Sequence, residues 1–344
     1  MTGSEPRSKV VIFSLGGTIS SVRSSSGKAL SGAMPGEDLF RQLNIPIDSS
    51  VEIKTLSQKP SNAITAEDLL SLRRHCIAAA ARPEVAGIVV SQGTDTLEDT
   101  VYFLDTCLDL QDTGVIVTGA QRVPYAPGSD AGPNLRDAIT VARSAPARRQ
   151  GALVVFNEEI HAGDAVLKTS SFQLGGFTSP GYGPLGYVDG DIVRMRQRAP
   201  RAPVIEPGNT LPRVDILTVS LAAHPAVIEA CVNSGARGLV LDAVGRGHVP
   251  PDWMEDLAAV AKEGIPIAVT SSTHSGRLAE AYEYTGSLAE IAQIGAVAAH
   301  NISARKARLR MMCALSAGQT IDSQIMNPVE QGPLPIGSPA GKRS

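Results

Sequence analysis

What most restricts the fold of this chain is an alternation. Short, unbroken β-branched runs are followed, after polar loops, by stretches with helical spacing. Gly87-Ile88-Val89-Val90 is one such run, and the segment from Leu97 to Leu108 then sets Leu97, Val101, Leu104 and Leu108 on one helical face. Val10 to Leu15, Val51 to Leu56, Gly114 to Thr118 and Gly151 to Phe156 read as further strands. Glu37 to Leu43, Thr65 to about Ala81 and Asn134 to Arg143 read as helices between them. Runs that are apolar on both faces belong inside a parallel sheet covered by helices.

The chain has 344 residues, too many for one ordinary core, so two domains are expected. Between Arg194 and Arg213 lie five arginines and four prolines, which read as a linker at 194–213. Around it the expected division is a disordered leader at 1–8, an N-terminal α/β domain at 9–193, a smaller C-terminal α/β domain at 214–330 and a disordered tail at 331–344. In the second domain Val214–Val219, Gly238–Asp242 and Ile267–Ser271 read as strands. Pro225–Asn233, Trp253–Lys262 and Ala304–Ala317 read as its helices.

Formal charge is −3, with 31 basic and 34 acidic residues and no basic patch, so nucleic acid is not an expected partner. No apolar run approaches membrane-spanning length, and Met1 to Lys9 is polar without an apolar core. Neither a membrane nor a signal peptide is expected, and a cytoplasmic, reducing location fits best. Cys76, Cys107, Cys231 and Cys313 are widely spaced among apolar neighbours and read as buried free thiols. The six histidines are scattered, with no metal-ligand spacing, and neither GxGxxG nor a P-loop is present. Gly245-Arg246-Gly247 reads as a tight turn. No metal and no organic cofactor are expected.

Reactive groups gather in loops at strand ends: Gly16-Gly17-Thr18, Ser57-Gln58 and Gly93-Thr94-Asp95. Ligands of open α/β sheets bind at the carboxyl ends of strands, so these loops are candidates to converge. Lys168 lies in a fourth loop, between His161 and Gly186. A hydroxyl, a carboxylate and a lysine are the parts of a lysine-assisted threonine nucleophile, with the amine neutral when it takes the proton. Paired glycines offer N–H groups for an oxyanion. A second reading stands beside this one: Thr96 and Asp99 have capping-box spacing, Asp95 can serve an N-cap, and Lys168 can be a surface lysine.

Five stretches, taken together, resemble the bacterial-type L-asparaginase/glutaminase amidohydrolases. They are Phe13-Ser14-Leu15-Gly16-Gly17-Thr18-Ile19-Ser20, Gly93-Thr94-Asp95-Thr96-Leu97-Glu98-Asp99-Thr100, Thr118-Gly119-Ala120-Gln121-Arg122, Ser179–Gly186, and Arg305-Lys306-Ala307-Arg308. The resemblance implies a larger, flavodoxin-like N-terminal domain and a smaller C-terminal α/β domain. It also implies a homodimer or homotetramer with sites near subunit interfaces. The implied reaction is hydrolysis of a small amide, by default L-asparagine to L-aspartate and ammonia. Thr94, Asp95 and Lys168 match the family's Thr-Asp-Lys set: Thr94 at the attacking water, Lys168 tuning it, Asp95 on the substrate ammonium. Ser57 and Gln58 match the residues on the substrate carboxylate, and Thr18 is the retained second threonine of the first signature.

That signature departs from the family at Leu15, where a nucleophilic threonine is usual, and the loop from Ser20 to Gly32 lacks the tyrosine that activates it. Gln92 stands where a histidine is common, and Lys59 where an aspartate is common. Ser14 is a poor stand-in for the missing threonine, because strand neighbours point to opposite faces. Two outcomes stay open: an amidohydrolase, acting on asparagine or on a different amide, imide or lactam, and a non-catalytic amino-acid-binding homologue.

Overall fold

The structure, a computed structural model, describes residues 7–43, 45, 49–273 and 275–327. Residues 1–6 of the expected leader, residues 328–330 and the expected tail at 331–344 lie outside the described residues. Within the leader, Arg7 donates to Thr113 Oγ1, and Ser8 N and Lys9 N both donate to the Glu84 carbonyl, so pairing starts before the first strand.

An eight-stranded sheet organises the N-terminal domain. Its order is Ile192–Met195, Gly186–Asp189, Glu159–Ala162, Ala152–Phe156, Gly114–Thr118, Val85–Ser91, Lys9–Gly16 and Val51–Lys59. The last five of these pair in parallel, and the first three join through antiparallel ladders. Numbered along the chain, the parallel strands run 2-1-3-4-5, the flavodoxin-like order, whose switch point falls between the first and third strands. Alternation along Lys9–Gly16 divides the core. Val11, Phe13 and Leu15 pack with Leu69, Leu97 and Leu104 on one face, while Val10 and Ile12 pack with Leu39, Leu135 and Ile139 on the other.

The 161–186 stretch, expected as loop, carries sheet. Glu159–Ala162 folds back on Ala152–Phe156, and Leu167–Lys168 pairs with Phe177–Thr178. Asn157 and Glu158, both at positive φ, turn the first of these hairpins, and such short ladders carry no readable period. The stretch expected as a linker is also built in. Arg194 and Met195 pair with Tyr187 and Gly186, Arg201 pairs with Asp105, and Ile205 is buried with its N–H on the Thr106 carbonyl.

The C-terminal domain is a parallel four-stranded sheet ordered Asp215–Thr218, Leu239–Ala243, Ile267–Ser271, Val297–Ala298. Gly245-Arg246-Gly247 is a tight turn, as expected, with both glycines at positive φ. The 13-residue helix Ala304–Ser316 lies between the domains, capped by Ser303 Oγ on Lys306 N. Its Met311, Met312 and Cys313 share one cluster with Leu104 and Cys107 of the helix Leu97–Cys107, and with Val240 and Ala268. The Cys107 and Cys313 thiols lie 3.4 Å apart; both are free and buried, whereas Cys231 is half-buried.

Candidate active site

At the switch point the ends of the first and third parallel strands meet. Gly17 has a φ of +86°, and a Cβ there would stand 2.0 Å from Gly93 N, so only glycine lets the loops touch. The Gly17 N–H donates to the Lys59 carbonyl at 3.0 Å. Of the two glycines expected to offer oxyanion donors, the Gly17 donor is therefore already engaged. Gly16, at φ +100°, pairs with Lys59 across a register shift.

Thr94 and Asp95 open the turn Thr94–Thr96 that leads into the helix Leu97–Cys107. Lys168 Nζ donates to Thr94 Oγ1 at 2.7 Å and to Asp95 Oδ1 at 2.6 Å. The Lys168 side chain is 13% exposed and that of Asp95 72%, so the amine is enclosed and the carboxylate faces solvent. Thr94 is 5% exposed and donates to Gln121 Oε1 at 3.3 Å. The surface-lysine reading of Lys168 fails on this geometry.

So does the capping reading. Thr96 caps nothing: its hydroxyl donates to the Ser61 carbonyl at 2.8 Å. Asp99 turns instead to Arg305, whose Nε donates to Asp99 Oδ1 at 3.1 Å. Burial pushes the Asp99 carboxyl up, and the neighbouring guanidinium opposes that rise. Each half of the local cap has gone to a distant partner, Thr96 to a carbonyl and Asp99 to a cation.

Ser57 and Gln58 are still strand, since Val51–Lys59 extends past its expected end to pair with Gly16. Ser57 Oγ is enclosed and has no hydrogen-bond partner, and Gln58 Nε2 donates to the Ala33 carbonyl at 3.2 Å. Lys59 pairs with Asp68 at 2.7 Å. Thr18 sits half-buried in the turn Thr18–Ser20, directly after Gly17. Leu15 is 2% exposed and packed in the core. Ser14 is buried on the opposite face, with its hydroxyl unpaired. The expected loop at 20–32 forms a small hairpin, Val22–Arg23 on Ala29–Leu30, and the Arg23 guanidinium lies 5.1 Å from the Tyr125 ring centroid.

Four supporting residues had no role assigned from sequence. Gln121 meets Thr94, and Asp130 holds the Gln121 and Arg122 N–H groups at 2.9 Å each. Glu98 is buried and accepts the Lys168 N–H at 2.7 Å. Arg305 Nη2 donates to the Asp95 carbonyl at 2.9 Å. Gln121, Glu98 and Arg305 lie in stretches that carry the family resemblance, and that was the available signal; Asp130 lies outside them.

A flavodoxin-like sheet with a hydroxyl, a carboxylate and an amine at its switch point has the layout of an α/β enzyme. The family described as Asparaginase, N-terminal, matches residues 9–201, and the Glutaminase/Asparaginase C-terminal domain matches residues 213–325. An L-asparaginase of Bacillus licheniformis is 36% identical over 309 residues, covering 90% of this chain and 96% of that protein. A glutaminase-asparaginase of Pseudomonas fluorescens biotype A is 31% identical, covering 90% of this chain and 87% of its own. The crystal structure of a probable cytoplasmic L-asparaginase from Campylobacter jejuni superposes with a TM-score of 0.77 at 26% identity, over 90% of this chain and 95% of that one. The chain belongs to the asparaginase family, hydrolases that act on a carbon–nitrogen bond outside peptides.

Proposed function

We propose that the chain is an amidohydrolase that converts L-asparagine to L-aspartate and ammonia, with Thr94 as the attacking hydroxyl and Lys168 as its proton partner. The observation that carries this reading is the 2.7 Å contact between Lys168 Nζ and Thr94 Oγ1 inside an enclosed site. A threonine hydroxyl becomes a nucleophile when an adjacent base takes its proton. Attack on the side-chain carbonyl forms an ester to Thr94 and expels ammonia, and water then cleaves the ester to release the carboxylate and restore the hydroxyl. Asp95 receives the substrate ammonium. That cation competes with Lys168 for the same carboxylate, so binding loosens the lysine for proton transfer. Ser57, with its unpaired hydroxyl, and Gln58 take the α-carboxylate. The N–H groups at the head of the Thr94–Thr96 turn, which have no intrahelical acceptors, hold the oxyanion, and Thr18 borders the acyl group.

Leu15 favours a second substrate class. It is a core side chain where the family has a hydroxyl, so a less polar amide, an imide or a lactam is the alternative. A homodimer or homotetramer with sites near subunit interfaces fits the family reading and is checked by light scattering. A cytoplasmic location fits the solved relative's description, although a relative in Haemophilus influenzae is described as periplasmic.

The deciding assay is ammonia release from L-asparagine, D-asparagine, L-glutamine and small amides, beside Lys168→Met, with lactam opening followed by mass. Turnover of asparagine that Lys168→Met abolishes supports the proposal. Turnover of another amide alone moves the substrate. Silence across the panel leaves a binding homologue.

A further inference from the structure

Lys306 is 1% exposed, and the reaction proposed above makes no use of it. Its Nζ donates to the Asp164 carbonyl at 2.8 Å and the Val166 carbonyl at 2.6 Å, and lies 5.7 Å from the Tyr102 ring centroid. Those carbonyls stand four and two residues before Lys168. Its neighbour Arg305 grips the other half of the site through the Asp95 carbonyl, Asp99 and Glu98. Glu98 closes the arrangement by accepting the Lys168 N–H. Thus one helix turn of the C-terminal domain holds both strand-end segments of the N-terminal domain, one cation to each.

We infer that Lys306 is a positioning residue for Lys168, fixing the 164–168 backbone so that the Lys168 amine meets the Thr94 hydroxyl. The inference rests on reading Thr94 and Lys168 as the reacting pair. An ammonium taken fully out of water is costly, and two main-chain carbonyls could be satisfied by neutral donors or water. What a lysine adds here is reach: its long stem crosses from the Ala304–Ser316 helix to a segment some 140 residues away in the chain. Burial pushes the amine down to about 8, with Glu98, Asp164, Asp105 and Asp99 opposing the shift. Either protonation state keeps at least two N–H donors for two carbonyls.

The test compares Lys306→Met, which keeps the stem and removes the donors, with Lys306→Arg, which restores donors. Lys306→Gln, which keeps N–H donors on a shorter stem, serves as a second variant if the methionine form does not fold. A misplacement of about 1 Å at a reacting pair lowers turnover by roughly 10²-fold. The expected result is therefore a fall in kcat of that order in Lys306→Met with KM changed less than about threefold, and partial recovery in Lys306→Arg. Hydrogen exchange at the Lys168 amide should accelerate in the same variant while the Thr94 turn stays protected. Unchanged kcat and unchanged exchange at Lys168 overturn the positioning role. A wild-type chain that hydrolyses no amide overturns the reading of the pair, and the exchange measurement still decides whether Lys306 holds the segment.

Discussion

Gly17 and Gly93 are in backbone contact: a Cβ on Gly17 would stand 2.0 Å from Gly93 N and 2.2 Å from Gly93 Cα. Neither atom is on a flexible side chain, so no rotamer change relieves the clash. Gly17→Ala should lower stability by about 2 kcal/mol or more, given the positive φ as well as the overlap, and should also separate Thr18 from Thr94. Denaturant unfolding and ammonia release, measured on the same sample, check both effects. A variant as stable and active as wild type would contradict the contact.

Thr94→Val keeps the shape of the side chain and removes the oxygen that Lys168 meets. Loss of an activated hydroxyl or of its proton partner is worth about 10²–10⁴-fold in rate. Both Thr94→Val and Lys168→Met should fall in that range, without adding when combined, because they act as one unit. Multiplicative losses in the double variant would argue against the pair.

His161 gives the folded state a pH dependence. The ring is fully buried, its Nδ1 lies 3.0 Å from Ser179 Oγ, and burial pushes its pKa down to about 4 from 6.5. Between those values the unfolded chain binds the proton and the native chain does not. Stability from this group is therefore fully present above pH 6.5 and is lost as pH falls towards 4, by an amount of the order of 3 kcal/mol. Urea midpoints at pH 7 and pH 4.5 should differ less in His161→Gln than in wild type. Equal slopes in the two proteins would refute the assignment.

Removing Arg305 strips the half-buried Asp99 and the buried Glu98 of their shared cation. Arg305→Met should cost about 2 kcal/mol at pH 8, less than a fully buried pair because the guanidinium is 42% exposed. The loss should shrink as pH falls, because burial raises the Asp99 carboxyl and removing the guanidinium removes what opposes that rise. A penalty independent of pH would point to packing instead of charge.

Leu15→Thr restores the family's usual residue inside the core cluster of Val11 and Phe13. Exchanging a packed leucine for a hydroxyl-bearing residue should cost roughly 2–3 kcal/mol. Thr94 already has its amine, so asparagine turnover should not rise more than a few-fold. A large gain would show that residue 15 is where the nucleophile belongs.

The parallel strands were legible because buried runs such as Gly114–Thr118 advertise themselves, and that strand has the expected bounds. So were Thr94, Asp95 and Lys168 as a group, once family likeness joined the loops. Three things were not. The antiparallel strands from Glu159 to Met195 are short and interrupted by Gly and Pro, which erases their period. The Thr96 and Asp99 cap has correct local spacing and loses to partners at Ser61 and Arg305, far away in the chain. Ser57 and Gln58 stay in a strand because Gly16 offers a partner beyond a register shift, which spacing along one segment does not encode.

The shared interior of the two domains bears on how such a gene can be recombined. Leu309, Met311, Met312 and Cys313 fill a cluster with Leu104 and Cys107, and Arg201 and Ile205 fasten the connecting stretch to the same helix. The C-terminal half is therefore not a cassette. A chimera that joined these halves to those of a relative within 196–213 would mate two unmatched interiors, however neat the join. Swaps confined to the strand-end loops leave that seam untouched, and they are the exchanges the scaffold should tolerate.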